Sequence, residues 1–264
     1  MSYYEKVILH PKEHFEKMHQ AGKLAAETLD YITPFVVEGV STLHLDTLME
    51  KFIRDHHSIP APLGYKGYPK ATCISLNHVI CHGIPSEDKL LQNGDILNID
   101  VSVILDGWYG DTSRMYWVGE PSVKAKKLCD VTYECLMRAI DIVKPGATLG
   151  DIGHAIQSHA EKHRYSVVRD FCGHGLGQVF HTAPSVLHYG KPGTGQVLEE
   201  GMFFTIEPMI NIGKPDIRML ADGWTAVTKD KTLSAQFEHA LGVTKDGCEI
   251  FSLSPKGYTK PPYA

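Results

Sequence analysis

No two cysteines in the chain are spaced as C-x-x-C, so neither a zinc knuckle nor a thioredoxin-type redox centre is encoded. The six that are present, at 73, 81, 129, 135, 172 and 248, follow a start, MSYYEKVILHPKEHFEKM, that lacks the basic and apolar segments of an export signal. Reduced thiols in the cytoplasm are therefore the expectation. No apolar run approaches the roughly 20 residues of a membrane helix. A net charge of −5 over 264 residues gives no electrostatic footprint for nucleic acid. The glycine-rich stretches match neither G-x-G-x-x-G nor the P-loop, so no phosphate cradle is indicated. What remains is an ordinary globular composition, long enough for one large domain or two small ones. Histidine is plentiful, at 15 residues. His10, His14, His19, His56 and His57 sit among charged residues and read as solvent-facing.

The most informative stretch is GDILNIDVSVILDGWYGDTS, from Gly94 to Ser113. Apolar and polar residues alternate from Leu97 to Val103, the period of a half-buried strand. Asp106-Gly107 is a strong hairpin signal, because a type I′ turn needs positive φ at both central residues. That turn pairs Leu105 with Trp108 and Ser102 with Asp111. Asp100 then shares a face with Ser102 and lies diagonally from Asp111, roughly 7–8 Å away. Two carboxylates aimed at one spot in a sheet are costly to bury. Solvated edge carboxylates are one reading of the pair, and a cation between them is the other.

Phe15, Met18, Ala21, Ala25 and Leu29 recur at helical spacing, which predicts a helix over about 11–31 that Pro34 ends. Ser41 or Thr42 can cap a second helix through Ile53. A shaped loop, APLGYKGYPKATC, precedes strand-like CISLNHVICHGIP. A long helix is predicted from near Ser122 to Val143, and Thr148 with Asp151 forms a capping-box pattern for another, to about His163. SVVRDF, MFFTIEPMINI, WTAVT, SAQFEHALGVT and CEIFSLS read as strands, and the tail KGYTKPPYA as irregular. An offset of 107 residues lays Gly39 on Gly146, Ser41 on Thr148, Gly94 on Gly201, Ile99 on Ile206 and Asp100 on Glu207. The chain is read as a duplicated helix–strand unit, two halves around a shared cleft, each offering a carboxylate from the equivalent strand.

Two further segments carry candidate ligands. His174 lies between glycines in FCGHGLG, and Glu238 lies in AQFEHA. Alone, each is more simply a hydrogen-bonded histidine or a solvated glutamate. Together, Asp100, Asp111, His174, Glu207 and Glu238 are too rich in oxygen for a structural zinc site. They suit two divalent ions, with manganese, iron(II), cobalt and zinc all compatible.

Five motifs in this order, CHGIP (Cys81 to Pro85), NIDV with its following GD (Asp100, Asp111), GHG-x-G-x-x-FH (Gly173 to His181), TIEPM (Thr205 to Met209) and SAQFEH (Ser234 to His239), are highly specific. Through them nearly the whole chain resembles the type I methionine aminopeptidases of the short bacterial form. The resemblance implies an α/β (α+β) pita-bread fold, with pseudo-two-fold halves around a central dinuclear metal site. It implies one catalytic domain over 1–264, with the repeat at about 12–120 and 121–254. It implies metal-dependent removal of the initiator methionine by attack of a hydroxide bridging the metals.

Residue by residue, Asp100, Asp111, His174, Glu207 and Glu238 match the metal ligands, Asp111 and Glu238 as the bridging pair. Glu207 also matches the proton shuttle, and His82 and His181 the substrate-contacting, catalytic histidines. Tyr65, Tyr68, Cys73, Phe180 and Trp224 match the walls of the methionine pocket, an apolar, partly sulfur-lined setting suited to a thioether. Asn77, Val79 and Ser234 match a monovalent-cation site. The implied partners are nascent polypeptides beginning with Met and a small second residue. The implied setting is a cytoplasmic monomer that can work at the ribosome, with no nucleic-acid site and no membrane. His78 and Tyr109 depart from the usual glutamate and histidine at their positions, which bears on the rim charge and on preference beyond the first residue. The 31 positions from Glu207 to Glu238 leave no room for the type II insertion. The alternatives are a proline-specific aminopeptidase or prolidase of the same fold, and a non-catalytic pita-bread binding protein.

Overall fold

The tight turn at Asp106-Gly107 forms, with φ of 50° and 82° at the two residues. It joins two ten-residue strands in the expected register, Leu105 opposite Trp108 and Ser102 opposite Asp111. The computed structural model describes residues 6–263. Residues 1–5, the start of the stretch read for an export signal, and Ala264, the last of the tail and of the single-domain reading, lie outside the described residues. The first half runs α1 (Glu13–Ile32), α2 (Thr42–Asp55), β1 (Ile59–Pro60), β2 (Cys73–Leu76), β3 (Val79–Cys81), β4 (Ile96–Leu105) and β5 (Trp108–Trp117). The second half opens on α3 (Val123–Ile140) and α4 (Leu149–Lys162). Shorter strands follow: β6 (Ser166–Val167), β7 (Gly173–Gly175), β8 (Thr182–Val186), β9 (Phe203–Ile206) and β10 (Met209–Asn211). The last are β11 (Ile217–Met219), β12 (Ala226–Thr228), β13 (Ser234–Gln236), β14 (Glu238–Val243) and β15 (Cys248–Ile250).

The helix starts follow local chemistry. The Ser41 hydroxyl accepts from the His44 N–H and Ser122 Oγ from the Ala125 N–H, while Thr148 and Asp151 make a reciprocal capping box. Each cap satisfies donors that the first helical turn leaves unpaired.

The main sheet is antiparallel, in the order β1-β4-β5-β14-β9-β7-β8, with β2 added to β4 and β15 to β14. Its centre is palindromic, since β4 and β9 are equivalent strands flanking β5 and β14. The 107-residue offset recurs in the backbone hydrogen bonds. Gly39 N–H donates to Leu91 O and Gly146 N–H to Leu198 O; Leu91 N–H donates to Val40 O and Leu198 N–H to Ala147 O. The bridges Ser41–Leu90 and Thr148–Val197 repeat in the same way. Each half has its own core. Leu29, Leu45, Met49, Ile99 and Val101 fill the first; Leu128, Leu136, Ile152, Ile156, Phe204 and Ile206 fill the second. Each such side chain contributes roughly 1.5–3 kcal/mol by leaving water.

Polar pegs fix α1 on the sheet. Arg114 of β5 donates to Asp30 Oδ1 at 2.7 Å and to Ala26 O at 2.8 Å, and Tyr116 donates to Leu29 O at 2.7 Å. The approach is so close that a Cβ on Gly110 would stand 2.0 Å from Ala21 O. Gly110→Ala should therefore cost about 1–3 kcal/mol, seen as a Tm several degrees lower.

CISLNHVICHGIP divides into β2 and β3 at Asn77-His78, and two further long strands expected from the sequence are also broken. MFFTIEPMINI divides at Glu207-Pro208, where Pro208 has no N–H for the ladder. SAQFEHALGVT divides at Phe237. In both cases one part stays in the main sheet, while β10 and β13 pair with each other in a small sheet with β6. Of SVVRDF only Ser166–Val167 is strand, and β1, β7, β8 and β11 lie where no strand was expected. No helix among the described residues is long and apolar enough to cross a membrane.

The solvent-facing reading holds for His56 and His57 and fails for His10, His14 and His19, which are half-buried. His10 stacks on Phe203 with ring centroids 4.2 Å apart, His14 packs edge-on to Trp108 at 4.6 Å, and His19 pairs with Glu249. The aromatic partners of His10 and His14 come from β9 and β5, and Glu249 from β15, which no local pattern revealed. Burial, reinforced by the neighbouring His14, lowers the His10 pKa to about 4. The unfolded chain binds a proton there near pH 6.5 and the folded chain does not. This residue's share of stability is therefore present above about 6.5 and is lost as the pH falls toward 4. His10→Gln should flatten that part of the acid limb, measured as urea midpoints at several pH values.

Candidate active site

Asp100 on β4 and Asp111 on β5 point to one face of the sheet, each beside Ser113 or Ser102 in the ladder. Glu238 begins β14 opposite Ser113. Glu207 follows β9, at the strand break that Pro208 makes. His174 sits in β7, whose glycines serve close approach rather than unusual backbone angles. A Cβ on Gly173 would meet Thr205 O at 2.3 Å, and one on Gly175 would meet Ala183 O at 2.1 Å. All five side chains line one cavity of about 370 Å³.

Within it, Asp111, His174 and Glu238 each bring a donor atom to within 4.8 Å of the others. His174 Nε2 is 3.6 Å from Asp111 Oδ2 and 3.7 Å from Glu207 Oε1. The opposite ring nitrogen, Nδ1, lies 3.1 Å from Gly175 O. A carbonyl only accepts, so Nδ1 carries the proton and Nε2 offers its lone pair to the acidic group. Burial holds the His174 pKa down to about 4 and keeps the ring neutral.

Protein donors reach some of the carboxylate oxygens and leave others bare. Ser102 donates to Asp111 Oδ1 at 2.7 Å, Thr205 to Glu207 Oε1 at 2.9 Å, and Gln236 Nε2 to Glu207 Oε2 at 3.2 Å. Asp100 Oδ1 is buried with no hydrogen-bond partner among the described residues. Burial raises the Asp100 pKa to about 7. Burial, then mutual repulsion, raises those of Asp111, Glu207 and Glu238 well above the usual range. An orphaned buried oxygen among four crowded carboxylates, faced by an unprotonated imidazole nitrogen, fits divalent cations and fits little else.

The other residues expected at the site line the same cavity: Tyr65, Tyr68, Cys73, His82, Phe180, His181 and Trp224. Tyr68 packs edge-on to Trp224 at 5.1 Å and Tyr65 edge-on to Phe180 at 4.9 Å. Tyr68 is pinned through its hydroxyl to Thr72 O and Gly83 O. Burial pushes the Cys73 thiol up, so it stays protonated. His181 lies against His174 at 4.1 Å and over Tyr65 at 5.2 Å. Burial, then the nearby His174 and Lys66, lowers its pKa to about 3. His82 lies between Phe171 and Trp224, at 5.3 and 6.1 Å, and burial lowers its pKa too. Asn77, Val79 and Ser234 meet away from the acidic group. The Ser234 N–H donates to Asn77 O at 2.8 Å, and Ser234 Oγ is buried without a partner. Of the two departures, Tyr109 stacks on Phe180 at 5.1 Å, while His78 takes the Thr228 N–H on its carbonyl.

Sequence reasoning missed Cys81, Phe171, Met209 and Gln236 in the lining. It also missed His188, fully buried, whose Nε2 accepts the Glu207 N–H at 3.2 Å. Thr205 and Gln236 stand two residues before Glu207 and Glu238, and that period-two spacing could have found them. Met209 stands two residues after Glu207 and Cys81 beside His82, while His188 comes from a separate segment. A second, open groove of about 1500 Å³ meets the cavity at Cys172, His174 and His181 and runs out along β8 to Tyr189 and Lys191.

The chain is similar to known proteins in sequence and in fold. The profile of metallopeptidase family M24 matches residues 16–245. A methionine aminopeptidase of Rickettsia prowazekii is 63% identical over 258 residues, 97% of this chain and 99% of the relative. That of Escherichia coli K12 is 54% identical over 242 residues, 91% of this chain and 92% of the relative. The crystal structure of methionine aminopeptidase from Rickettsia prowazekii superposes with a TM-score of 0.93 at 62% identity, covering 94% of this chain and all of that one. A prolidase from Pyrococcus horikoshii shares the fold at a TM-score of 0.72 and 22% identity, and the match takes in 63% of its length.

Proposed function

The chain belongs to metallopeptidase family M24, and on that premise we propose that Asp100, Asp111, His174, Glu207 and Glu238 are its metal ligands and that Glu207, His181 and His82 carry its chemistry. The activity is metal-dependent removal of methionine from the N-termini of peptides and proteins. The prolidase alternative is not favoured, at 22% identity against 54–63% for the methionine enzymes. The observation that carries the site assignment is the convergence of four carboxylates and one neutral imidazole, from separate segments, beside an aromatic and thiol-lined cavity of about 370 Å³.

Two divalent ions, of manganese, iron(II), cobalt or zinc, are the proposed occupants, and Asp100, Asp111, His174, Glu207 and Glu238 would hold them, Asp111 and Glu238 as the residues that both ions would share. When bound, they supply Lewis acidity, making a water acidic and polarising a carbonyl. The protein's part is positional. Tyr65, Tyr68, Cys73, Phe180 and Trp224 hold the thioether. Neutral His181 donates a hydrogen bond to the scissile carbonyl oxygen, where charge develops. His82 contacts the residue that follows. Glu207, with one neutral donor on each oxygen, takes a proton and delivers it to the leaving amine.

Asn77, Val79 and Ser234 are proposed as a monovalent-cation site, supported by the unpartnered Ser234 oxygen. The proposed substrates are nascent chains with a small second residue, met in the cytoplasm and at the ribosome by a monomer. Residues 1–264 are read as one catalytic domain, repeated at about 12–120 and 121–254. The test is a peptide series with manganese or cobalt supplied. Met-Gly-Ser should be cleaved after methionine, while Xaa-Pro peptides lacking N-terminal methionine should not. Cleavage of the second group alone would overturn the reading.

A further inference from the structure

On the far side of the second core, α3 and α4 pack together and bring three metal-ligating side chains to one point that takes no part in the acidic cavity. His159 lies in the last turn of α4 and His163, four residues on, caps its C-terminus, with ring centroids 4.8 Å apart. Glu134, on α3, meets His159 Nε2 through its Oε2 at 2.7 Å. One donor atom from each of the three lies within 4.8 Å of the other two. We propose that Glu134, His159 and His163 form a second transition-metal site, for an ion of the zinc(II) class, that clamps α3 to α4. The proposal does not rest on the catalytic reading.

The chemistry differs from that of the acidic cavity. Two imidazoles at i and i+4 on one helix face are a spacing that presents both nitrogens to one ion. With a single carboxylate they make a three-ligand set that zinc completes with water. Ligands at 2.0–2.1 Å around a tetrahedral ion stand roughly 3.3 Å apart, so the three groups need only side-chain rotation to converge. Coordination through His159 Nε2 moves its proton to Nδ1 of the same ring. The imidazole stays neutral and the Glu134 carboxylate is freed for the ion. His159 is 9% exposed and Glu134 is about half exposed, so the site has a rigid wall and an open mouth. Lys127 and Lys162 stand near His163, but both are exposed and their ammonium groups can turn into solvent.

The experiment compares the full-length protein with His163→Ala and with Glu134→Gln, which keeps the side-chain volume. Each is dialysed against excess zinc(II) and then assayed for bound metal and for Tm. The wild type should retain one more zinc per chain than either variant, and zinc should raise its Tm further. Manganese-supported peptidase activity should be the same in all three. Equal zinc content with equal Tm rise in all three would overturn the site. Loss of activity in either variant would overturn its separateness from the catalytic cluster.

Discussion

Glu207→Gln should lower kcat for a Met-Gly-Ser peptide by about 10²–10⁴-fold, the usual worth of a positioned acid–base group, while KM moves far less. The substitution keeps the volume and most of the local hydrogen bonding. Thr205 Oγ1 can turn to accept from the new amide, and Gln236 can still donate to the remaining oxygen. What goes is the capacity to hold a proton and release it to the amine. One negative charge is also lost from the cluster, so the assay must be run with metal in large excess. A kcat within about threefold of the wild type under those conditions would remove Glu207 from the proton path.

Stripping divalent ions should abolish peptidase activity and lower Tm, and added manganese or cobalt should restore both. The physical reason is the crowding of four carboxylates whose ionisation burial opposes, together with an Asp100 oxygen that no protein donor reaches. An ion held at 100 times its Kd stabilises the folded state by about 2.7 kcal/mol. At roughly 2–4 °C per kcal/mol for a chain approaching this size, Tm should fall by about 5–10 °C on stripping. Calorimetry and a peptide assay on the same dialysed sample would check it. A dialysed chain, shown free of metal, that kept its full rate would contradict the assignment of the acidic group.

The sequence was most legible where the signal was local. Asp106-Gly107 determined a turn, and the turn determined which residues of β4 and β5 face each other. Ser41, Ser122 and the Thr148–Asp151 box marked three helix starts. The repeat was legible too, because glycines, caps and a carboxylate recur at one offset. Legibility failed where the partner was distant. The break at Pro208 could be read from a missing N–H, but the transfer of Met209–Asn211 to another sheet depends on Ser234–Gln236. Gly173–Gly175 carries no strand propensity, and it is a strand because Thr205 O and Ala183 O lie too near for any side chain. His10 looked solvated beside its charged neighbours, and only Phe203, almost two hundred residues on, shows why it is not. His188 was hidden for the same reason, whereas the pocket walls Cys81, Phe171 and Met209 stand within three residues of His82, His174 and Glu207.

The palindrome at the centre of the sheet has a consequence for chain integrity. Two of the acidic groups come from the first half of the chain and two from the second, and Glu238 stands on β14, between β5 and β9. A cut in the polypeptide anywhere between Asp111 and Glu207 separates the group into two pairs, neither of which has the other's carboxylates beside it. The two pairs face each other only where β14 lies between β5 and β9, so the strand that joins the halves also assembles the acidic group.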